Sequence, residues 1–299
     1  MNAEEISQRL ARHVYYLARE IGERNIWKPA ALQAVADYIR KQWADQGYVV
    51  YEQAYEVGGV RCANLEVATS TDCSAPMILI GAHYDSVRGS PGGNDNGSGV
   101  AVLLELSRLF AETSGSHVRY VAFVNEEPPF FATALQGSEL YAGRARRDGW
   151  SIELMIALET LGYYSSESGS QAYPSVLRLF YPGRGDFVAM VSNLRSLSKL
   201  RRFVKAFRES TNFPVEYLAS PPILAGVSWS DHRAFWQQGY PAIMVTDTAP
   251  YRYPYYHTAL DTAERVCCTE LADVTLGLAG AIKRLSERVA RPVFRSAPQ

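Results

Sequence analysis

The sequence predicts an α/β fold, a three-layer sandwich in which helices cover both faces of a mixed, mainly parallel central sheet. Short, strongly apolar segments alternate with amphipathic helical segments along most of the chain. This alternation is typical of parallel strands joined by crossover helices. No repeat, low-complexity tract or long Pro/Gly/Ser linker divides the 299 residues, so we expect a single domain over 1–299.

The first 46 residues are predicted to be helical, because apolar side chains recur there at helical spacing on both sides of Pro29. Two strand-like segments follow from Tyr48. Later strands are predicted at 77–82, 118–124, 154–158, 175–182 and 242–245, and later helices at 100–110, 138–149, 198–210 and 271–289. We expect a surface loop at 165–173 and a loose tail at 291–299.

Composition and charge exclude several classes of protein. With 47% hydrophobic residues the chain has enough apolar surface to fold, and a formal net charge of -1 gives no general affinity for nucleic acid or anionic membranes. No segment approaches the roughly 20 apolar residues of a membrane helix. The first 20 residues do not resemble a secretory signal. We therefore expect a cytoplasmic protein as the chain stands, or a periplasmic or secreted one if a leader was removed.

The four cysteines give little information, because none of them forms a C-x-x-C pair. The adjacent pair Cys267 and Cys268 is compatible with a redox device, but two ordinary buried thiols are the simpler interpretation.

Acidic and imidazole side chains follow the predicted strands. His83 and Asp85 follow the strand at 77–82, Glu126 and Glu127 follow 118–124, Glu159 follows 154–158, and His257 comes after 242–245; Asp95 lies in a glycine-rich loop at 91–99. In open α/β sheets, ligands bind outside the carboxyl ends of the strands. We therefore expect these side chains to converge at one edge of the sheet.

Such a cluster requires a compensating cation, since buried carboxylates are costly when unpaired. Imidazole and carboxylate ligands without thiolate suit zinc or a similar divalent metal. The sequence contains no H-E-x-x-H segment, which argues against a thermolysin-like site. With two histidines and three carboxylates as ligands, two metals bridged by one carboxylate, about 3.5–4 Å apart, would be the simplest arrangement. Taken singly, each group has an ordinary structural explanation, for example Asp95 as a turn residue or helix cap.

Four segments together resemble a known family. They are G-A-H-Y-D-S at 81–86, P-G-G-N-D-N-G-S-G at 91–99, N-E-E at 125–127 and Y-H-T-x-x-D-T at 256–262, with W-S-D-H-R-A-F-W at 229–236 as a further recurring segment. They are similar to those of the zinc aminopeptidase family that contains the bacterial leucyl aminopeptidases and, as relatives, the glutaminyl cyclases. The match runs from about Met77 to Thr262.

The resemblance implies a role for each residue at this edge of the sheet. Asp95 would bridge two zinc ions, with Glu127 and His257 completing one site and His83 and Glu159 the other. The Asp85 carboxylate would orient the His83 imidazole, and Glu126 would be the general base. Glu159 stands where many relatives have aspartate. The extra methylene still permits ligation, and we expect the ion held by His83 and Glu159 to be the weaker one.

The resemblance favours an aminopeptidase that acts on a peptide or small aminoacyl substrate. Three alternatives remain open at this point: a glutaminyl cyclase with a single zinc, a catalytically inactive interaction scaffold of the same fold, and another metallohydrolase. For substrate binding we propose Asp231, His232 and Tyr256, the last as part of an aromatic segment at 251–256. The oligomeric state and the preferred N-terminal residue are not predicted.

Overall fold

An eight-stranded mixed sheet forms the centre of the protein. The structure, a computed structural model, describes residues 2–72, 74–113, 116–174 and 177–289. Three features from the sequence analysis lie outside these ranges: Cys73, the predicted tail at 291–299, and the first two residues of the strand predicted at 175–182. The strands are β1 (Tyr51–Val57), β2 (Val60–Ala68), β3 (Met77–His83), β4 (Val118–Phe123), β5 (Ile152–Glu159), β6 (Val188–Ser192), β7 (Val215–Ala219) and β8 (Ala242–Thr246).

The strand order is β1-β2-β4-β3-β5-β8-β6-β7. Each pair of neighbours in the run β4-β3-β5-β8 is parallel, and β6 and β7 are also parallel to each other. The pairs β1–β2, β2–β4 and β6–β8 are antiparallel. The predicted mixed, mainly parallel sheet is therefore confirmed.

Helices cover both faces of this sheet, which confirms the three-layer sandwich. The helices are α1 (Ala3–Tyr15), α2 (Pro29–Asp45), α3 (Gly99–Phe110), α4 (Gly137–Arg147), α5 (Leu197–Arg208), α6 (His232–Gln237), α7 (Ala249–Arg252) and α8 (Cys268–Val289). On one face α8 packs against α1, α3 and α5, while on the other α4 packs against α6. None of the described helices is both long enough and apolar enough to span a bilayer.

The strand side chains divide into two apolar cores, as the alternation of a strand requires. On β3, Ile78 and Ile80 face the larger core under the α1, α3 and α8 layer, whereas Met77 and Leu79 face the smaller core under α4 and α6. Because both faces of β3 are buried, its sequence is a continuous apolar run. The run ends at His83, where the candidate site begins.

The N-terminal helices are part of the larger core. Ile6, Leu10 and Val14 of α1 are buried in it, as are Ile39 and Trp43 of α2. Proline stands at the first turn of α2, where its missing N–H leaves no hydrogen bond unmade. The helical spacing predicted for residues 1–46 therefore corresponds to buried faces.

The strand predicted at 175–182 is wrong. Leu177–Leu179 forms a short helical turn, and Leu179 and Phe180 are 75% and 80% exposed. The sixth strand is Val188–Ser192, which is buried between β8 and β7. A short apolar run alone does not distinguish a strand from a turn that presents its apolar residues to solvent. The β7 strand was not predicted either.

A close approach between β3 and β4 generates a testable prediction. A Cβ added at Gly81 would lie 2.3 Å from the ring of Phe123, which is itself buried against Tyr141 and Phe235. We expect Gly81→Ala to lower the free energy of unfolding by about 1–3 kcal/mol, because this ring has no space to move. Urea denaturation measures the change.

Gly143→Ala is the matched control. Gly143 lies in α4 with nothing within 4 Å of the added Cβ, so alanine should leave stability unchanged or raise it by up to about 1 kcal/mol. Equal destabilisation in the two variants would contradict the packing argument.

Candidate metal centre

The side chains predicted to converge do so at the carboxyl ends of the parallel strands. His83 and Glu159 are the last residues of β3 and β5, and Glu126 and Glu127 follow β4. These four residues are buried, whereas the side chain of His257, in the loop after α7, is 31% exposed. The site is therefore a buried acidic cluster with one imidazole at its mouth.

Asp95 lies between the two imidazoles and turns a different oxygen to each. Its Oδ1 is 3.5 Å from His83 Nε2, and its Oδ2 is 3.1 Å from His257 Nε2. Each imidazole also faces a second carboxylate: His83 Nε2 is 3.3 Å from Glu159 Oε2, and His257 Nε2 is 3.3 Å from Glu127 Oε2. The structure thus brings together both of the predicted ligand sets, with Asp95 common to the two.

The donor set fits a divalent metal. Ligand atoms of His83, Asp95 and Glu127 all lie within 4.8 Å of one another. Among the described residues, His83 Nε2 and Asp95 Oδ2 are buried without a hydrogen-bond partner of acceptable geometry. A buried polar atom that lacks a partner is costly, and a bound cation would satisfy both atoms.

The electrostatics of the cluster also favour positive charge at the two Nε2 positions. Burial alone would lower the pKa of His257, but Asp95 and Glu127 outweigh it and raise this pKa to about 10. For His83, burial is likewise outweighed, by Glu159 and Glu126, and the pKa is raised well above its usual value. Protons bind here because the carboxylates require compensation, and a divalent cation would compensate them more strongly.

Glu126 and Glu127 are adjacent in sequence but differ in their contacts. Glu127 Oε1 accepts a hydrogen bond from the Val87 N–H at 3.1 Å, and its other oxygen faces His257. No described residue donates a hydrogen bond to the carboxylate of Glu126, whose Oε2 lies 3.8 Å from His83 Nε2. Burial, with Glu159 adding to it, raises the pKa of Glu126 well above its usual value. Glu126 is therefore the carboxylate beside the cluster that remains free to exchange a proton.

Asp85 contacts His83, but not with the group that was predicted. The backbone carbonyl of Asp85 lies 3.2 Å from His83 Nδ1, whereas its carboxylate is 3.8 Å away. The carboxylate instead accepts hydrogen bonds from the N–H groups of Glu126 and Glu127, at 3.1 and 3.2 Å. Asp85 thereby fixes the turn that presents both glutamates, and its carbonyl orients the imidazole.

Comparison with known proteins shows the family of this chain. The family model of Peptidase family M28 matches residues 64–282, which is more than half of the chain. The chain belongs to Peptidase family M28. YfbL of Escherichia coli K12, described as uncharacterized, is 37% identical over 281 residues that cover 91% of this chain and 86% of that protein. A probable leucine aminopeptidase of Arthroderma benhamiae is 27% identical over 216 residues, which cover 66% of this chain and 50% of that protein.

Solved structures show the same fold at low sequence identity. BSAP, a zinc aminopeptidase from Bacillus subtilis, matches with a TM-score of 0.73 at 15% identity and covers 93% of this chain and 95% of that chain. A glutaminyl cyclase of Porphyromonas gingivalis matches with a TM-score of 0.68 at 19% identity, covering 95% and 98%. The M28 fold is therefore shared by a hydrolase and an acyltransferase, and the fold alone does not choose between them.

In this M28 peptidase, Arg24 and Asp261 hold the loop that carries Asp95. Neither residue was given a role in the sequence analysis. Arg24 is fully buried and donates to the carbonyls of Tyr84 at 2.7 Å, Pro91 at 2.5 Å and Gly92 at 2.8 Å. Asp261 accepts the N–H groups of Asn94 at 2.7 Å and Asp95 at 3.0 Å. Asp261 lies in the quoted Y-H-T-x-x-D-T segment, which could have drawn attention to it. Nothing in the sequence around Arg24 indicates a buried guanidinium.

The residues proposed for substrate binding lie in different environments. Tyr256 stacks on His257 with ring centroids 3.9 Å apart and lines a pocket beside Glu159, as expected. Asp231 is buried beside the cluster, where its charge contributes to the raised pKa of Glu126. His232 is fully buried, with its Nε2 2.8 Å from the Val227 carbonyl and its ring against Trp236. It supports the pocket wall at Val227, and none of its contacts involves the candidate metal ligands.

The pocket beside Glu159 is largely apolar and aromatic. Its lining includes Phe187, Leu224, Val227, Met244 and Tyr251. It opens next to Glu159 and Tyr256, so a substrate bound at the candidate metal centre could extend one side chain into it.

The role of Arg24 is testable. Arg24→Met would leave the Tyr84 and Pro91 carbonyls without a donor, at about 1–3 kcal/mol for each, while the Gly92 carbonyl would keep the Gly97 N–H. We expect a free energy of unfolding lower by at least about 2 kcal/mol, together with weaker zinc binding because the Asp95 loop loses its support. Chemical denaturation and zinc titration measure the two effects. Arg12→Met, at an exposed position of α1, is the control and should change neither the stability nor the zinc affinity. If Arg24→Met had the stability and zinc affinity of the parent protein, the positioning role of Arg24 would be excluded.

Proposed function

We propose that this M28 peptidase is a zinc-dependent aminopeptidase that hydrolyses the first peptide bond of peptides or small aminoacyl substrates. The observation that carries the proposal is the arrangement of Asp95 between His83 and His257, with the uncommitted carboxylate of Glu126 next to it. The names of relatives, probable leucine aminopeptidase and zinc aminopeptidase, support the same reaction.

Five side chains would hold the metal. We propose two zinc sites that share Asp95: Glu127 and His257 would complete one of them, and His83 and Glu159 would complete the other. When bound, the zinc would lower the pKa of a water molecule and polarise the scissile carbonyl. Ser230 donates a 2.7 Å hydrogen bond to Glu159 Oε2, which fixes the orientation of this longer side chain.

Glu126 acts as the general base and then as the general acid. Its carboxylate takes a proton from the attacking water and delivers it to the leaving amine. Burial raises the pKa of Glu126, which makes its carboxylate a stronger base. The Asp85 carboxylate holds the Glu126 N–H at 3.1 Å and so fixes the base at the reacting centre.

The charge of the site favours a substrate with a free α-amino group. Six buried carboxylates surround the centre: Asp85, Asp95, Glu126, Glu127, Glu159 and Asp231. Two divalent ions carry four positive charges, so with all six carboxylates ionised these side chains and the two ions together would keep a net negative charge. An α-ammonium group compensates that charge, whereas a blocked N-terminus does not.

The competing activity is glutaminyl cyclisation, which involves no attacking water. Mass spectrometry of a peptide with N-terminal glutamine, incubated with the zinc-loaded protein, separates the two reactions. Hydrolysis releases glutamine and shortens the peptide, whereas cyclisation lowers the peptide mass by one ammonia and leaves its length unchanged. Hydrolysis in a panel of aminoacyl p-nitroanilides supports the proposal, and cyclisation without hydrolysis excludes it.

Glu126→Gln separates the base from the ligands. We expect this variant to keep its zinc but to lose hydrolysis by about 10²–10⁴-fold, because a general base has been removed. Metal analysis and the p-nitroanilide assay measure the two properties. Glu127→Gln is the matched control at the adjacent position and should lose zinc. If the metal contents of the two variants were reversed, the two roles would have to be exchanged.

The two ions should bind unequally. Titration of the metal-free protein with zinc in a calorimeter should show two steps, the weaker one at the site of His83 and Glu159. Glu159→Ala should remove that step and keep the site of Glu127 and His257, whereas Asp95→Asn should weaken both, because Asp95 faces both imidazoles. Two equal steps in the parent protein, or loss of both in Glu159→Ala, would contradict the assignment.

A further inference from the structure

A second carboxylate lies on the same row of the sheet as the candidate ligand Glu159. Glu159 of β5 is in register with Thr246 of β8, Thr246 with Ala189 of β6, and Ala189 with Glu216 of β7. Residues paired across neighbouring strands project from the same face of the sheet. With strands about 4.7–4.9 Å apart, the three steps place the Glu216 backbone roughly 14 Å from that of Glu159.

This row forms part of the floor of the apolar pocket. Glu159, Thr246, Ala189 and Glu216 all line it, and the next row, Met244, Val191 and Leu218, continues the floor. Residues outside the strands form the walls: Tyr173, Leu177, Tyr181, Phe187 and residues 224–227. The pocket therefore runs from the candidate metal centre to Glu216.

Glu216 is half-buried and has neither a hydrogen bond nor an ion pair with any described residue. The nearby tyrosines are committed elsewhere, since Tyr173 donates to the Pro182 carbonyl and Tyr181 to that of Tyr217. The charge of Arg208 acts on Glu216, but its guanidinium donates to the Val215 carbonyl and lies over the ring of Tyr217, whose side chain projects from the opposite face of β7. A half-buried carboxylate that lacks a hydrogen bond and an ion pair is costly, which points to a partner that arrives with the ligand.

We propose that this pocket selects substrates whose N-terminal residue has a long cationic side chain, lysine or arginine, with Glu216 accepting its terminal ammonium or guanidinium group. The inference rests on the proposed aminopeptidase function and adds the substrate class. The chemistry of the pocket matches such a side chain along its length. The apolar floor fits the methylene stem, the aromatic walls attract a cation, and the carboxylate lies at the far end.

The test compares side chains of similar shape that differ in charge. In the zinc-loaded parent protein, lysyl and arginyl p-nitroanilides should have kcat/KM values about 10- to 100-fold above those of norleucyl and leucyl p-nitroanilides. Glu216→Gln keeps the shape of the side chain and should remove most of this preference. Glu167→Gln makes the same change of charge at an exposed position of the 165–173 loop and should retain the preference. Thermal unfolding of both variants establishes that they are folded.

A binding measurement separates this inference from the proposed function. Calorimetry with L-lysinamide and L-norleucinamide should give tighter binding of lysinamide to the parent protein and to Glu167→Gln, but not to Glu216→Gln. If no nitroanilide is cleaved while this pattern holds, the aminopeptidase proposal fails and the pocket assignment stands. The pocket assignment is overturned if norleucinamide binds as tightly as lysinamide, or if the preference persists in Glu216→Gln. A stronger preference for tyrosyl or glutaminyl substrates would overturn it as well.

Discussion

The burial of several carboxylates at one edge of the sheet is the constraint on which the surrounding structure depends. Asp95 and Glu127 face His257, while Glu159 and Glu126 face His83, and burial makes each ionised carboxylate costly without compensation. The chain meets part of this cost with the imidazoles and with backbone N–H groups. Among the buried atoms left without a hydrogen-bond partner, His83 Nε2 and Asp95 Oδ2 lie where a cation would bind.

The sheet topology explains why the cluster and the pocket lie side by side. β3, β4, β5 and β8 are parallel, so their carboxyl ends deliver polar side chains to a single edge. At β6 the direction reverses, and beyond that point loops rather than α4 and α6 cover this face of the sheet. The floor of β8, β6 and β7 is therefore open to a ligand, and it begins at Glu159, the last residue of β5.

The sequence was most informative where one strand or one short motif determines position. A fully apolar run predicts a strand buried on both faces, and its end predicts where His83 or Glu159 emerges. It was least informative where a role depends on contacts distant in the chain. Arg24 binds a loop almost 70 residues away, and Glu216 lies on a strand whose alternation is too short to recognise. A buried guanidinium and an exposed one look the same in a single sequence.

Glu159 would connect metal binding to side-chain selection, because it belongs to both of the proposed sites. One of its oxygens faces His83 and accepts the hydrogen bond of Ser230, and its side chain also lines the mouth of the pocket. A glutamate reaches further from the end of β5 than an aspartate would. In the proposed binding mode, a substrate side chain would pass Glu159 and Tyr256 to reach Glu216. A change at Glu159 would therefore affect the proposed metal site and the pocket entrance together, whereas a change at Glu216, at the far end of the row, would affect the pocket alone.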